Sequence, residues 1–153
     1  MKIYSWNVNG IRAVWNKELV QKFMSEHQPD ILCLQETKAN QEQSPVVLPD
    51  YTEFWNSAEK KGYSGTAIFS KIKPLKVIND IPEYFVKASG LAADGYGDAN
   101  KEGRVIAAEF ADYYVVTAYT VNAKDDLSRI PLRQDWDKAI TSYCAHLQKT
   151  KPV

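Results

Sequence analysis

The order of apolar and polar residues predicts strands that alternate with helices. The alternating stretch Lys2–Val8, rich in Ile, Tyr, Trp and Val, predicts a first strand. Apolar residues at helical spacing predict a helix over residues 15–27, and Pro29 ends it. The next apolar run, Ile31–Leu34, predicts a strand that is buried on both faces. This order is typical of an α/β protein.

The same patterns predict five more strands and a second long helix. The strands are expected at residues 51–56, 66–70 and 75–78, and at 103–110 and 113–119, which form a hairpin. The helix is expected from residue 132 to about 149. The glycine-containing stretch Glu83–Glu102 predicts a long, mobile surface loop.

Polar side chains follow three of the predicted strands. Asn7 ends the first strand, Glu36 follows the buried strand, and Tyr119 and Asn122 end the last strand. Ligands of open α/β sheets bind outside the carboxyl ends of the strands. If these strands are neighbours, the four side chains meet at one rim.

These residue types suit phosphate-diester chemistry. Mg²⁺ often takes one or two carboxylates together with waters and phosphate, so Glu36, with Lys38 beside it, is a candidate ligand. A solvated glutamate at a strand end is the plainer interpretation, and this stretch alone favours it. Asn7 would orient the carboxylate, a metal-bound water or a phosphate, while Tyr119 and Asn122 would bind non-bridging oxygens. No histidine and no second strand-end acid lies near these motifs, so the set is half of a site.

The stretch from Glu59 to Gly65 contains two lysines and two glycines. Its backbone would approach an anion closely, although a hairpin turn explains the same composition.

The composition of the chain limits its class and its possible partners. The 153 residues fit one domain, and 19 basic residues balance 19 acidic ones, which counts mildly against a nucleic-acid partner without excluding it. No apolar run is long enough to span a bilayer. Cys33 and Cys144 lack metal-ligand spacing, which predicts reduced thiols and a cytoplasmic protein. The helix-proline-apolar pattern at Lys149–Val153 repeats the pattern before the buried strand, so we expect the chain to be a fragment or to lack a partner segment.

Five segments together carry a family resemblance. They are Trp6–Arg12, Leu34–Lys38, Lys61–Gly65, Glu102–Ile106 and Tyr119–Asn122. The chain resembles exonuclease III and the related abasic-site endonucleases of the endonuclease/exonuclease/phosphatase superfamily, from Met1 to Val153 and with the motifs in family order.

The resemblance implies a four-layer α/β sandwich, with two packed mixed sheets and helices outside. Residues 1–153 would be the N-terminal portion of one such domain, without its C-terminal remainder. The implied activity is Mg²⁺-dependent hydrolysis (with Mn²⁺ as an alternative) of double-stranded DNA in base-excision repair. It comprises cleavage at abasic sites, 3′-5′ exonuclease activity and removal of 3′ blocking groups. The complete enzyme would be a monomer without a membrane partner.

The resemblance also implies residue roles. Glu36 would bind the metal with Asn7 beside it, Asn9 and Lys38 would support it, and Tyr119 and Asn122 would contact the scissile phosphate. The residues implied to touch the DNA backbone are Arg12, Lys61, Gly62, Tyr63 and Arg104, and those that fit the following helix are Arg129, Arg133 and Trp136.

The sequence departs from the family pattern at three places. Val121 stands where many relatives have proline, and Lys124–Asp126 replaces a loop that often contains glycine and arginine. The family's Gly-Asp-x-Asn strand and C-terminal Asp-His pair are not in this sequence. We therefore expect this chain alone to be inactive or nearly so. A phosphoinositide or sphingolipid phosphodiesterase, or a non-catalytic half-domain that binds DNA or a complementary chain, remain alternatives.

Overall fold

The computed structural model describes residues 1–153 and contains seven strands and four helices. The strands are β1 Ile3–Asn7, β2 Ile31–Gln35, β3 Thr52–Asn56, β4 Thr66–Ser70, β5 Lys76–Asn79, β6 Val105–Glu109 and β7 Tyr114–Ala118. The helices are α1 Ile11–Asn16, α2 Leu19–His27, α3 Glu83–Ser89 and α4 Ile130–Leu147, with 3₁₀ turns at Gln41–Gln43 and Ala99–Lys101.

The strands form two sheets. The first has the order β1-β2-β4-β3, in which β1 and β2 are parallel and the other neighbours are antiparallel. The second has the order β5-β6-β7 and is antiparallel throughout. Because β1 and β2 run in the same direction, their carboxyl ends lie side by side at one edge of the first sheet.

Three hydrophobic clusters separate the layers. One lies between the sheets, where Ile31 and Ile68 pack with Ile106. A second places α1 and α2 on the outer face of the first sheet, and a third places α3 and α4 on the outer face of the second. The layers therefore follow the order helix, sheet, sheet, helix, which confirms the predicted α/β sandwich.

Strand β2 shows why its sequence lacks alternation. All five of its residues are buried, because Leu32 and Leu34 belong to the helix-side cluster while Ile31 and Cys33 belong to the cluster between the sheets. A strand covered on both faces needs apolar residues at every position.

Two element predictions were wrong. The helix predicted over residues 15–27 is divided into α1 and α2, and the division falls at Glu18, whose φ of +58° is left-handed. The loop predicted over Glu83–Glu102 begins with α3, which ends at Gly90 in a left-handed conformation. Helix α3 is too short to show periodicity, and its Phe85 and Val86 pack on the α4 cluster. None of the helices combines the length and apolar character that crossing a membrane requires.

Candidate active site

Two adjacent parallel strands bring Asn7 and Glu36 together. Asn7 is the last residue of β1 and pairs in register with Gln35, the last residue of β2. Glu36 comes next, with a left-handed φ of +59° that turns the chain out of the strand. The predicted meeting of these two strand ends is therefore seen in the structure.

The Glu36 carboxylate lies within a small polar network. Its Oε1 is 2.9 Å from the Lys38 ammonium. Lys38 also donates to Asn9 Oδ1 at 2.6 Å, and the Asn9 backbone N–H donates to Asn7 Oδ1 at 3.1 Å. The Lys38 ammonium thus lies between the Glu36 carboxylate and the Asn9 side chain.

The network changes the acidity of Glu36. Partial burial raises the pKa of this carboxyl, but hydrogen bonds from Lys38 and Asn7, the Lys38 charge and a hydrogen bond from Tyr119 together bring it below its ordinary value. Glu36 is therefore ionised at neutral pH and presents a negative charge at the rim.

Backbone hydrogen bonds on both sides hold the turn that carries Glu36. Gly10 donates to the Glu36 carbonyl at 2.8 Å and Ile11 to the Thr37 carbonyl at 2.9 Å. On the other side, Thr37 donates to the Gly65 carbonyl at 3.1 Å, and Lys38 donates to that of Ser64 at 2.8 Å. The turn is fixed between the segment after β1 and the segment before β4.

The segment before β4 approaches the Glu36 turn so closely that position 65 must be a glycine. Its φ is +88°, and a Cβ at this position would collide with Thr37 Oγ1. Thr37 itself is 1% exposed. The glycine of the predicted anion-binding loop thus also packs against the turn that bears Glu36.

Tyr119 reaches the same site from the second sheet. It follows β7, and its phenol lies near enough to the Glu36 carboxylate for each group to shift the pKa of the other. Burial, followed by the nearby Glu36 charge, raises the pKa of Tyr119. The phenol therefore stays protonated at neutral pH and can donate a hydrogen bond at the rim, so residues of both sheets build the site.

Arg104 lies inside the protein. It is 2% exposed, and its Nε donates to Glu102 Oε2 at 2.7 Å. Its Nη1 donates to the carbonyls of Tyr119 and Thr120 at 3.1 and 3.0 Å, and its Nη2 donates to the Tyr63 hydroxyl at 3.3 Å. The predicted direct contact between Arg104 and DNA conflicts with this burial, because the guanidinium donors are already used within the protein.

The other predicted residues lie at the surface around the site. Arg12, Lys61 and Gly62 are exposed, and neither Arg12 nor Lys61 has a side-chain partner in the protein. Tyr63 is half-buried, and Asn122 is exposed with its Oδ1 accepting the Lys124 backbone N–H at 2.7 Å. The Asn122 amide N–H₂ group remains free to bind an anion.

Residues of α4 that fitted the family pattern have structural contacts. Trp136 is 1% exposed in the core, and Arg133 donates to Asp137 at 2.8 Å. Arg129 is 2% exposed and donates to Asp94 Oδ2 at 2.7 Å. These side chains therefore have structural partners within the protein.

Sequence reasoning missed two supporting residues. Gln35, 8% exposed, donates to Ser5 Oγ and to Thr117 Oγ1, both at 2.9 Å, and so joins the sheets. Glu102, 7% exposed, lies between Arg104 at 2.6 Å and Arg129 at 3.8 Å. The polar Gln35 at the end of an apolar strand was a signal for the first.

The residues present fit Mg²⁺ in a limited way. Glu36 offers an ionised hard oxygen ligand at a rigid strand end, which is the donor that Mg²⁺ prefers. No group of three or more His, Cys, Asp or Glu side chains converges anywhere in the chain. These residues would therefore hold the ion through one carboxylate, with water and substrate phosphate as the remaining ligands.

The chain and its fold match a known family. The chain belongs to the endonuclease/exonuclease/phosphatase family, which it matches over residues 4–153. This confirms the resemblance found in the sequence.

Particular relatives are nucleases by name. The chain is 44% identical to the exodeoxyribonuclease of Bacillus subtilis over 153 residues, which are 100% of this chain and 56% of that protein. It is 40% identical to the DNA repair nuclease APEX1 of Danio rerio, covering 46% of that protein. The chain thus spans about half the length of these curated relatives.

Solved structures give the same fold. The AP endonuclease LMAP of Leishmania major superposes with a TM-score of 0.71 at 29% identity, over 94% of this chain and 48% of that one. The 3′ phosphatase NExo of Neisseria, bound to a product DNA hairpin, gives 0.74 at 27% identity, over 99% of this chain and 54% of that one.

Proposed function

We propose that this chain forms part of a Mg²⁺-dependent DNA phosphodiesterase that acts at abasic sites and at blocked 3′ ends. The observation that carries the proposal is the ionised Glu36 carboxylate at a strand end, 2.9 Å from the Lys38 ammonium. Asn7 lies beside it on the neighbouring strand, and Tyr119 lies near it from the second sheet. The names of the relatives support DNA as the substrate.

Each side chain has a role in this proposal. Glu36 holds Mg²⁺, or Mn²⁺ in its place, and the bound ion would stabilise negative charge on the phosphate. Asn7 and Lys38 fix the carboxylate, with Asn9 holding Lys38. The Tyr119 phenol and the free Asn122 amide donate to non-bridging oxygens.

Exposed cations around the rim position the duplex. Arg12 and Lys61, which have no partner within the protein, contact backbone phosphates, and Gly62 lets the backbone approach them. Tyr63 contacts the DNA strand whose phosphates bind Lys61. Arg104 does not contact the DNA itself. It positions the residues that do, because it hydrogen-bonds the Tyr63 hydroxyl and the carbonyls of Tyr119 and Thr120.

These 153 residues supply only part of a catalytic set. A water must lose a proton to attack the phosphate, and no histidine of this chain lies beside Glu36. His27 packs against Tyr4 and Phe23, and His146 packs against Phe85. We place residues 1–153 as one portion of a single domain, which acts as a monomer in a reducing, cytoplasmic compartment.

Metal-dependent DNA binding tests the function. A fluorescent duplex with one abasic site is titrated with this chain in Mg²⁺ and in EDTA, followed by anisotropy. We expect Mg²⁺ to increase the affinity for the duplex. In Glu36→Gln this Mg²⁺-dependent increase in affinity should be at least about tenfold smaller. The matched control Glu42→Gln, on the exposed 3₁₀ turn, should leave it unchanged.

Two results would overturn the proposal. If inositol phosphates displace the duplex at equal concentration, the substrate is a lipid headgroup instead of DNA. If the chain alone nicks the duplex with robust multiple turnover, the proposal of a partial catalytic set is wrong.

A further inference from the structure

Tyr63, which contacts Arg104, also lines a separate cleft that contains none of Asn7, Glu36, Tyr119 and Asn122. The volume of this cleft is about 420 Å³, which is within the range of small-molecule sites. The residues that matter for its chemistry are Lys60, Tyr63, Tyr96, Lys101, Glu102 and Lys124. None of the roles proposed above uses Tyr96 or Lys124.

Two tyrosine rings line this cleft, and each has cations next to it. The Lys124 ammonium lies 4.4 Å from the centre of the Tyr96 ring, and the Lys60 ammonium lies 5.5 Å from that of Tyr63. Tyr96 is 60% exposed, and a ligand reaches its ring once the Lys124 side chain moves aside. Aromatic rings with adjacent cations form the surfaces on which nucleotide bases stack.

The cleft is lined by three lysines and by the carboxylates of Glu59, Asp98 and Glu102. Asp98 Oδ1 accepts the Asn100 backbone N–H at 2.9 Å. Lys60 and Lys124 have no carboxylate partner, whereas Lys101 lies 3.9 Å from Glu59. The Glu102 carboxylate is already compensated by Arg104. Two ammonium groups therefore remain for a bound phosphate.

Two buried arginines lie against the two tyrosines of the cleft. Arg129 lies under Tyr96, with its Cζ 5.2 Å from the ring centre, and it is held by Asp94 at 2.7 Å. Arg104 lies 5.9 Å from the centre of the Tyr63 ring. Both arginines are 2% exposed, so they fix the tyrosines without contacting solvent. A prepared site loses less entropy on binding.

We propose that this cleft binds one nucleotide, with its base against Tyr96 and its phosphate on Lys60 and Lys124. The Lys124 side chain is flexible, so it can leave the ring for the phosphate while the base takes its place. Tyr63 joins the cleft to the candidate active site through Arg104 and the Tyr119 carbonyl. The inference rests on the proposed function: the nucleotide is one displaced from the DNA strand, or a free product of hydrolysis.

Calorimetric titration of this chain separates those two sources. The probes are dAMP, deoxyribose 5-phosphate and a single-stranded tetradeoxyadenylate. Binding of dAMP supports a free nucleotide, and binding of the tetranucleotide without dAMP supports a strand nucleotide. Deoxyribose 5-phosphate, which lacks a base, should bind at least about fivefold more weakly than dAMP. If neither nucleotide probe binds, the proposal is wrong.

Paired variants locate the binding. Tyr96→Ala should weaken it at least about fivefold, and Lys124→Gln about two- to fivefold in low salt. The matched controls Tyr84→Ala and Lys149→Gln, at exposed positions outside the cleft, should bind as the parent chain does. Equal losses in variant and control would overturn the assignment to this cleft.

The cleft proposal and the proposed function can be refuted independently of each other. If Glu36→Gln has no effect on duplex binding but Tyr96→Ala still weakens nucleotide binding, the nuclease proposal is wrong and the cleft remains a nucleotide site. If Tyr96→Ala has no effect on nucleotide binding, the cleft proposal is wrong whatever Glu36 does.

Discussion

The Gln35 side-chain amide donates to Thr117 Oγ1 at 2.9 Å, and this hydrogen bond joins the two sheets across 82 residues of sequence. It lies directly beneath the candidate active site. Glu36 follows Gln35 in the chain, and Tyr119 comes two residues after Thr117. The bond therefore sets how closely the carboxylate and the phenol approach each other.

Removing the acceptor should destabilise the fold. Thr117→Val keeps the shape of the side chain but leaves a buried Gln35 N–H without a partner, which costs about 1–3 kcal/mol of unfolding free energy. Urea denaturation measures this loss, and Thr117→Ser should restore most of it. Thr52→Val, at an exposed strand position, is the control. A Thr117→Val variant as stable as that control would show that the bridge contributes nothing.

Adding a methyl group at Gly65 should disturb the turn that carries Glu36. Its left-handed backbone alone disfavours alanine by about 1–2 kcal/mol, and the collision with Thr37 adds to this. Gly90→Ala isolates the first effect, because Gly90 has a φ of +77° with no atom within 4 Å of its Cβ position. We expect Gly65→Ala to lower the urea midpoint further than Gly90→Ala does.

A second substitution checks the cause of that loss. Thr37→Ala removes the atom that the new methyl group meets, so the double variant should recover part of the stability lost in Gly65→Ala. If the two losses simply add, the close approach is not the reason for the glycine.

The Asp94–Arg129 pair should make stability depend on pH. Burial raises the pKa of Asp94, but hydrogen bonds from Arg129 and from the Tyr96 backbone, and the Arg129 charge, lower it overall. The unfolded chain, with an ordinary value of about 3.9, then takes up a proton before the folded one does. The pair therefore stabilises the fold above that pH, and its contribution is lost as the pH falls through the folded pKa.

Denaturation of Asp94→Asn across pH measures this contribution. At pH 7 the variant should be about 1–3 kcal/mol less stable, and the difference should shrink below pH 4. Asp112→Asn, in the turn between β6 and β7 and without an ion pair, is the control. Parallel curves for Asp94→Asn and the parent chain would contradict the prediction.

The two thiols should be unreactive in the folded protein. Burial raises the pKa of Cys33 to about 12, and burial also raises the pKa of Cys144. Since the thiolate is the reactive form, iodoacetamide at pH 8 should modify Cys144 slowly and Cys33 more slowly still. In urea both should react quickly. Mass spectrometry measures the rates, and fast native modification of Cys33 would contradict its burial.

The hydrophobic pattern predicted most strands and helices correctly, because the order of these elements follows from which faces pack in the core. Strand β4 has the predicted bounds, and the unbroken apolar run of β2 is covered on both faces. The meeting of Asn7 and Glu36 also followed from the sequence, because a helix between two strands favours a parallel pair, whose carboxyl ends coincide. Patterning could not place the division between α1 and α2, which depends on the conformation of Glu18.

The sequence did not predict which charged side chains are buried. The family resemblance placed Arg104 at the DNA backbone, and nothing in the sequence pattern around it predicted burial, because charged side chains are seldom buried unless they are paired. Its burial depends on Glu102 and on carbonyls that only the folded chain brings near it. Glu102 and Arg104, two residues apart, were a weak sign of the pair, but Asp94 and Arg129 are 35 residues apart and gave none.

The two-sided attachment of the Glu36 turn also determines the order of folding events. Its bonds to Gly10 and Ile11 can form once β1 and β2 associate, but those to Ser64 and Gly65 require β4 to dock as well. Contacts between segments this distant in sequence form slowly. A nascent chain that has not yet docked β4 therefore contains Glu36 but lacks half of the backbone hydrogen bonds that fix its turn.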